Sequence, residues 1–233
     1  MLEYPPIPPY AAIDWSRIPA PVECGEELVD LAEVAPEITY DASYAKMGRP
    51  GAFARCFVRR TVAEMLKKAS DSLPEGYSLM VYDALRPLSV QRHLYEEIKA
   101  KLEREHPELS EGDLLELVDQ FVAFPRTNPA RPAPHTTGGA VDLTLCKDGI
   151  PLDMGTEFDD NTPRAYTRWL EENNENPVAR DNRRILFSVM TGAGFYSYDC
   201  EWWHYAYGER LWAGNVGDTP KYGFHPLCKE ENT

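Results

Sequence analysis

Helix and strand patterns follow one another in this chain without the regular β-α-β alternation that builds a doubly wound parallel sheet. The clearest strand lies at 140–145, where Val141, Leu143 and Leu145 alternate with polar residues. Further short strands are predicted at 55–59, 77–82, 195–198 and 202–207, and regular structure is expected to begin near residue 55. This irregular order predicts an α+β fold.

Capping residues mark where the predicted helices begin and end. Thr61 and Glu64 have the spacing of a capping box, and Ser110 precedes a stripe of apolar residues at helical spacing. Asn176 is followed by a proline, which suits the first position of a helix. Gly194 is expected to end the helix that begins there.

Six prolines fall within the first 21 residues. Proline fixes φ and lacks an amide donor, so residues 1–24 are predicted to form an extended arm that wraps the body. The full length of 233 residues suits one domain, 1–233.

The net charge of −14 argues against two classes of partner, nucleic acids and anionic membrane surfaces. No apolar run is long enough for a membrane span, and the N-terminus lacks the pattern of a secretory signal. The five cysteines are scattered without a CxxC pair, which predicts reduced thiols and a cytoplasmic location.

Two of the five histidines stand in contexts that favour chemistry. His135 precedes a tight glycine turn and a strand that carries Asp142, an aspartate that is costly to bury unless it is paired or binds a metal. His204 follows Glu201 by three positions in an aromatic segment. A regular strand would put these two side chains on opposite faces, so a shared site requires a bulge or a strand that begins after Glu201. His93, His106 and His225 are predicted to be structural or surface residues.

Together these segments supply two imidazoles, one carboxylate ligand and one spare carboxylate. Zinc hydrolases need three protein ligands and a nearby base that is not a ligand. Arg86 follows a buried strand, where it suits stabilisation of an oxyanion, although a surface salt bridge is the plainer interpretation.

Other readings of the same residues stay open at this point. A non-haem iron site also uses two histidines and one carboxylate, but its first two ligands are typically two positions apart, not seven. A structural metal site would need neither Glu201 nor Arg86. Cys200 as a nucleophile lacks a histidine partner, and the Gly192-x-Gly194 pair is no dinucleotide fingerprint.

As a set, these motifs resemble those of the zinc D-alanyl-D-alanine dipeptidases of the vancomycin-resistance type, in peptidase family M15 and the LAS metallopeptidase superfamily. The resemblance extends in order from about residue 40 to 207 and implies that the catalytic core is 40–207. It is carried by Asp41-Ala-Ser-Tyr44-Ala, Tyr82-Asp-Ala-Leu-Arg86-Pro, His135-x6-Asp142, Met154-Gly-Thr-Glu-Phe-Asp159, Asn182-Arg-Arg184, Gly194-Phe and Glu201-Trp-Trp-His204-Tyr.

The resemblance implies a Hedgehog/DD-peptidase-like domain with a central, mainly antiparallel sheet flanked by helices. It implies one Zn²⁺ per chain held by three residues, with a free D,D-dipeptide, most simply D-Ala-D-Ala, as substrate, and a role in cell-wall dipeptide turnover. The roles it implies are metal ligands at His135, Asp142 and His204, general base at Glu201, oxyanion stabilisation by Arg86, and binding of the substrate amino group by Asp159 and Tyr44.

The chain departs from the family pattern at two places. Ala133 stands where the family has a serine associated with the substrate carboxylate, and residues 47–51 differ from the family's asparagine-phenylalanine-glycine segment. The predicted metal ligands and catalytic residues are unchanged. Another short peptide from peptidoglycan, or a non-catalytic metal-binding role, is the alternative.

Overall fold

The computed structural model describes residues 4–126 and 128–229. Its strands are β1 (Leu28–Asp30), β2 (Thr39–Tyr40), β3 (Phe57–Arg59), β4 (Tyr77–Asp83), β5 (Ala140–Lys147), β6 (Ile150–Pro151), β7 (Tyr196–Ser197) and β8 (His204–Ala206). Its α-helices are α1 (Leu31–Val34), α2 (Ser43–Lys46), α3 (Arg60–Asp71), α4 (Leu88–Glu105), α5 (Glu111–Phe121), α6 (Trp169–Asn173), α7 (Pro177–Ala193) and α8 (Arg210–Val216).

The main sheet has the strand order β2-β4-β5-β8-β7, with β6 paired to β5. Only β2 and β4 run parallel, and the other neighbours are antiparallel. Strands β1 and β3 form a separate antiparallel pair. The α+β prediction with a mainly antiparallel sheet is therefore confirmed.

The core lies where helices α3 and α7 pack together against the sheet. Seven of the eight residues of β5 are buried, which makes it the central strand. A second apolar cluster joins α2, α4 and α5 beside this core. A cleft in the structure is lined by residues of both clusters. Within the described ranges, no helix is both long and apolar enough to cross a membrane.

The beginning of α3 differs from the prediction. The helix begins at Arg60, and Thr61 lies inside its first turn without acting as a cap. Its free amides are instead satisfied by a distant segment: Arg60 N donates to the Glu27 carbonyl at 3.1 Å and Thr61 N donates to Glu26 Oε1 at 2.5 Å. A capping group from elsewhere in the chain thus replaces the local capping box.

Two other capping predictions are confirmed. Ser110 caps α5, its hydroxyl accepting from Asp113 N, and Asn176 caps α7, its side chain accepting from Ala179 N. Gly194 ends α7 with φ of 114°, a conformation that favours glycine. The expected beginning of regular structure near residue 55 is wrong, because β1, α1, β2 and α2 all precede it.

Residues 4–24 contain one short 3₁₀ turn and otherwise run over the body without regular structure; the first three residues of the predicted arm lie outside the described ranges. Backbone bonds join Val22 N to the Pro220 carbonyl and Cys24 N to the Lys221 carbonyl. Ile7 is buried, and its N–H donates to Glu171. The arm therefore packs along its length against the rest of the chain.

Candidate metal centre and substrate cleft

Three pieces of backbone bring the predicted metal ligands together. Asp142 lies on β5, and β8 begins at His204, the ladder partner of Asp142 in this antiparallel pair. His135 lies in a 3₁₀ turn just before β5. Gly139 joins that turn to the strand, and a Cβ there would lie 2.5 Å from the Tyr207 carbonyl oxygen. Glycine therefore allows the turn to approach the end of β8 closely.

The facing atoms of these three side chains form a compact triangle. His135 Nε2 lies 3.2 Å from His204 Nδ1 and 3.2 Å from Asp142 Oδ2, while His204 Nδ1 lies 3.0 Å from Asp142 Oδ1. All three residues are at least 94% buried. Three buried donor atoms at such mutual distances could hold one metal ion.

Neighbouring groups orient the ligands. His135 Nδ1 lies 2.8 Å from the Ala84 carbonyl oxygen, which fixes the proton on that nitrogen and leaves Nε2 free to coordinate. Burial alone would raise the pKa of Asp142, but His135 and His204 hold that pKa well below its ordinary value. Burial lowers the pKa of His204, against the opposing influence of Asp142. An ionised carboxylate beside a neutral imidazole is the state that binds a metal.

Arg86 lies beside this triangle, with its guanidinium held on three sides. Its Nε donates to Asp83 Oδ2 at 2.8 Å, Nη1 donates to Gln91 Oε1 at 3.0 Å, and Nη2 donates to Asp142 Oδ2 at 3.2 Å. The ring of Tyr44 lies under the guanidinium, 5.0 Å from its carbon. The cation is thus buried, fixed in orientation and in contact with the Asp142 carboxylate of the triangle.

Glu201 lies in the turn before β8, so the strand begins after it. This confirms the second of the two arrangements that would let Glu201 and His204 share a site. Glu201 Oε2 lies 3.8 Å from His204 Nδ1. Burial, followed by the charges of Asp142 and Asp159, raises the pKa of Glu201 well above its ordinary value. A carboxylate with a raised pKa is a stronger proton acceptor, which suits a general base.

Asp159 and Tyr44 form a hydrogen-bonded pair on the same cleft. Tyr44 Oη donates to Asp159 Oδ2 at 3.0 Å. Burial raises the pKa of Asp159 to about 6. Asp159 also has φ of 62°, a conformation uncommon for residues other than glycine, and Asn161 Nδ2 donates to its carbonyl oxygen. The carboxylate is therefore placed by backbone and side-chain contacts alike.

All seven predicted site residues line one cleft of about 720 Å³. Its walls come from α4, α5, the segment before β5 and the beginning of α8, with Trp15 of the arm at the edge. The structure thus brings together every residue that the sequence singled out for the site.

The family model for peptidase M15, described as D-Ala-D-Ala dipeptidase, matches residues 25–221 of this chain. The chain belongs to this peptidase family. It is 33% identical over 230 residues to a D-alanyl-D-alanine dipeptidase of Synechocystis sp., covering 89% of this chain and 90% of that protein. It is 30% identical over 186 residues to a D-alanyl-D-alanine dipeptidase of Escherichia coli, covering 77% of this chain and 83% of that protein.

Among solved structures, a vancomycin-resistance D,D-pentapeptidase in complex with Zn(II) is similar, with 19% identity and a TM-score of 0.41. That similarity covers 88% of this chain and 97% of the other. Membership of the M15 family rests on the sequence matches and makes this chain a peptidase.

Two buried residues of this M15 site were missed from the sequence, Asp83 and Gln91. Asp83 lies at the end of β4, where it pairs with Arg86 and lies 3.3 Å from His135 Nδ1. Gln91 connects Arg86 to the Ala123 carbonyl oxygen, to which its Nε2 donates at 2.7 Å. The argument used for Asp142, an aspartate on an apolar strand, could have found Asp83.

The histidines predicted to lie outside the site do so. His93 is exposed, and His106 pairs at 3.4 Å with Glu108 on the surface. His225 Nδ1 accepts from Leu227 N and caps a short 3₁₀ turn. Burial raises the pKa of the Cys200 thiol to about 12, which disfavours the thiolate that a nucleophile requires. None of the five cysteines, all within the described ranges, forms a disulfide.

Proposed function

We propose that the protein is a zinc-dependent dipeptidase that hydrolyses D-Ala-D-Ala. The observation that carries the proposal is the buried triangle of His135, Asp142 and His204, with Glu201 and Arg86 on the same cleft. Relatives named D-alanyl-D-alanine dipeptidase support the choice of substrate. A structural metal site would need only the triangle, so the additional carboxylate and guanidinium favour catalysis.

The donor set fits one zinc ion. In a tetrahedral site with bonds of about 2.0–2.1 Å, ligand atoms lie about 3.3 Å apart. The two imidazole nitrogens lie 3.2 Å apart, and each lies 3.0–3.2 Å from one of the two Asp142 carboxylate oxygens. His135, Asp142 and His204 would hold the ion through two imidazole nitrogens and one carboxylate, which is the number of protein ligands that catalytic zinc sites use. When bound, zinc supplies a Lewis acid and lowers the pKa of water.

Glu201 is proposed to act as the general base. Its carboxylate accepts a proton from the water that attacks the scissile carbonyl carbon, and it then delivers that proton to the leaving amine. The distance of 3.8 Å between Glu201 Oε2 and His204 Nδ1 supports this role, since Glu201 is near the three candidate ligands and is not one of them. Burial keeps competing water away and strengthens its basicity.

Arg86 is proposed to stabilise the negative charge that develops on the carbonyl oxygen during attack. Its guanidinium is fixed by Asp83 and Gln91 before substrate arrives, so little reorganisation is needed when the charge forms. Burial alone would lower the pKa of Arg86, but Tyr44 and Asp83 raise it, so the group stays cationic. A charge held in this way is most effective in a buried site.

Asp159 and Tyr44 are proposed to bind the free amino group of the dipeptide. An ammonium ion beside Asp159 would compensate the burial that raises the pKa of this carboxyl, and Tyr44 Oη adds a second polar contact. This arrangement selects peptides with an unblocked N-terminus. We expect N-acetylated dipeptides to be poor substrates.

We infer a role in turnover of cell-wall dipeptides, in the cytoplasm. Five unpaired cysteines support a reducing compartment. A second candidate substrate is a longer or bulkier peptide from peptidoglycan. It is favoured by the volume of the cleft, about 720 Å³, which falls in the range typical of ligands larger than a dipeptide.

The test is release of free D-alanine from D-Ala-D-Ala by the purified zinc-loaded protein. Glu201→Gln keeps the size of the side chain and removes the base, so we expect turnover to fall at least a hundredfold with zinc still bound. Glu105→Gln, at the exposed end of α4, is the matched control and should keep full activity. A protein that binds zinc but leaves D-Ala-D-Ala intact would contradict the proposed substrate, and trials of longer peptides would follow.

A further inference from the structure

The cleft has a basic corner that the proposed chemistry does not use. Arg126, Arg131 and Arg210 line it together with the metal centre. Burial lowers the pKa of Arg210, the charges of Arg131 and Arg126 lower it further, and Glu209 raises it, so the three guanidinium groups lie near one another with one carboxylate among them. Like charges repel, and this chain carries a net charge of −14. Three arginines at one corner of a substrate cleft therefore indicate a site for an anion.

Two of these arginines are already engaged. Arg210 donates to the carbonyl oxygens of four residues of the arm and the loop before β5: Trp15, Ile18, Pro19 and Ala130. Arg126 pairs with Asp119 at 3.4 Å and lies over the ring of Phe124. The side chain of Arg131 is exposed and has no hydrogen bond or ion pair with any described residue. Arg131 is the cation of this corner that is open to a ligand.

The threonine hydroxyls near Arg131 already donate hydrogen bonds within the 3₁₀ turn Pro134–Thr137 that carries His135. Thr136 Oγ1 donates to the Ala133 carbonyl oxygen, and Thr137 Oγ1 donates to the Pro134 carbonyl oxygen, both at 2.6 Å. Ala133 itself is buried and offers no side-chain donor. This stretch therefore has no free hydroxyl for a ligand's carboxylate.

Arg131 also lies within reach of a small substrate at the metal centre. It precedes His135 by four residues, so their Cα atoms are at most about 14 Å apart. Lys101 lines the cleft too, but it follows Gln91 by ten helical residues, about 15 Å farther along α4. Arg49 is paired with Glu97. Among the described cations of the cleft, these contacts and distances favour Arg131.

We propose that Arg131 binds the C-terminal carboxylate of the peptide substrate. The proposal rests on the proposed function, which places the substrate's amino group at Asp159 and its scissile carbonyl at the metal centre. The carboxylate of a dipeptide is then the one charged group without a partner. A guanidinium can bind it through two parallel hydrogen bonds. Arg131 thus selects short peptides with a free C-terminus over amides and esters.

The test measures the binding of two ligands to the protein, so its result does not depend on hydrolysis. The zinc-loaded Glu201→Gln protein is titrated calorimetrically with D-Ala-D-Ala and with D-Ala-D-Ala amide. We expect the acid to bind about tenfold more tightly than the amide, as for one charged hydrogen-bonded pair. Adding Arg131→Gln should weaken acid binding about tenfold and leave amide binding unchanged. Arg131→Lys should recover part of the preference for the acid over the amide, because lysine keeps the positive charge but lacks the planar guanidinium that can donate two parallel hydrogen bonds.

Arg164→Gln is the matched control, since Arg164 is exposed and does not line the cleft. It should leave both affinities unchanged. The proposal is wrong if acid and amide bind equally to the parent protein, if Arg131→Gln weakens both alike, or if neither ligand binds. Failure of the wild-type protein to hydrolyse D-Ala-D-Ala would instead overturn the proposed function. In that case, tighter binding of D-Ala-D-Ala than of its amide, lost in Arg131→Gln, would still support Arg131 as the residue that binds the carboxylate.

Discussion

Arg86 Nη2 lies 3.2 Å from Asp142 Oδ2, so one buried carboxylate contacts both the guanidinium and the imidazoles of the metal triangle. This contact connects the two halves of the proposed chemistry. The carboxylate that would hold the metal also fixes the cation that would stabilise the oxyanion. A change at either residue is therefore expected to affect the other, and the effects of paired substitutions should not add.

Arg86→Lys should lower kcat about a hundredfold to a thousandfold with little change in KM, because a lysine cannot reproduce the three directed hydrogen bonds of the guanidinium. Steady-state kinetics with D-Ala-D-Ala measure the two constants. Arg164→Lys, at an exposed site outside the cleft, is the control. A large rise in KM with kcat unchanged would show that Arg86 binds the ground state instead.

Removal of zinc should lower the stability of the protein. A ligand that binds only the folded state stabilises it by about 2.7 kcal/mol at a free concentration one hundred times its Kd. We expect Tm to rise when zinc is added to the chelated wild-type protein. His204→Ala should show no such rise, while His93→Ala, which changes an exposed histidine, should behave as the wild type does. An equal rise in the His204→Ala variant would place the zinc elsewhere.

Asp142 and its surroundings show what the sequence could predict about the site. An aspartate inside an apolar strand is costly unless a partner compensates it, and that local rule pointed to Asp142. The same rule does not identify Gln91, because Gln91 holds Arg86 while it donates a hydrogen bond to Ala123, a residue 32 positions away in a loop. Contacts between distant segments carry no periodic signal in the sequence.

The same limit explains the errors in the fold prediction. Strand β2 has two residues and β1 has three, too few for an alternating pattern to appear. The predicted capping box at Thr61 failed because Glu26, 35 residues earlier, supplies the helix start with an acceptor. At Ser110 and Asn176 the cap is local, and there the sequence was sufficient.

Asp159 should make the stability of the metal-free protein depend on pH. Its pKa in the folded state is about 6, above the ordinary value of 3.8 that applies when the chain is unfolded. The folded state therefore binds the proton more tightly. The stability contributed by this group is fully present below pH 4 and is lost as the pH rises through 6.

Asp159→Asn should remove this loss and still accept the hydrogen bond from Tyr44. At pH 7 in chelator, we expect the variant to be more stable than the wild type by up to about 3 kcal/mol, with most of that difference gone near pH 4. Urea unfolding at the two pH values measures it. Asp218→Asn, at an exposed position, is the control and should show no such pH-dependent difference. A variant that is less stable at pH 7 would contradict the burial argument.

Gly214 should control whether the N-terminal arm forms its part of the cleft. A Cβ at this position in α8 would lie 2.5 Å from Ile18 Cδ1, so Gly214→Val is expected to displace the arm segment that places Trp15 at the cleft. Gly192→Val is the matched control, because Gly192 also lies in a helix and an added Cβ would have no atom within 4 Å beyond its chain neighbours and the backbone of its own helix. Hydrogen exchange of residues 13–18 should quicken only in Gly214→Val, and KM for D-Ala-D-Ala should rise several-fold in that variant alone. Faster exchange with KM unchanged would show that the arm packs on the body without contributing to substrate binding.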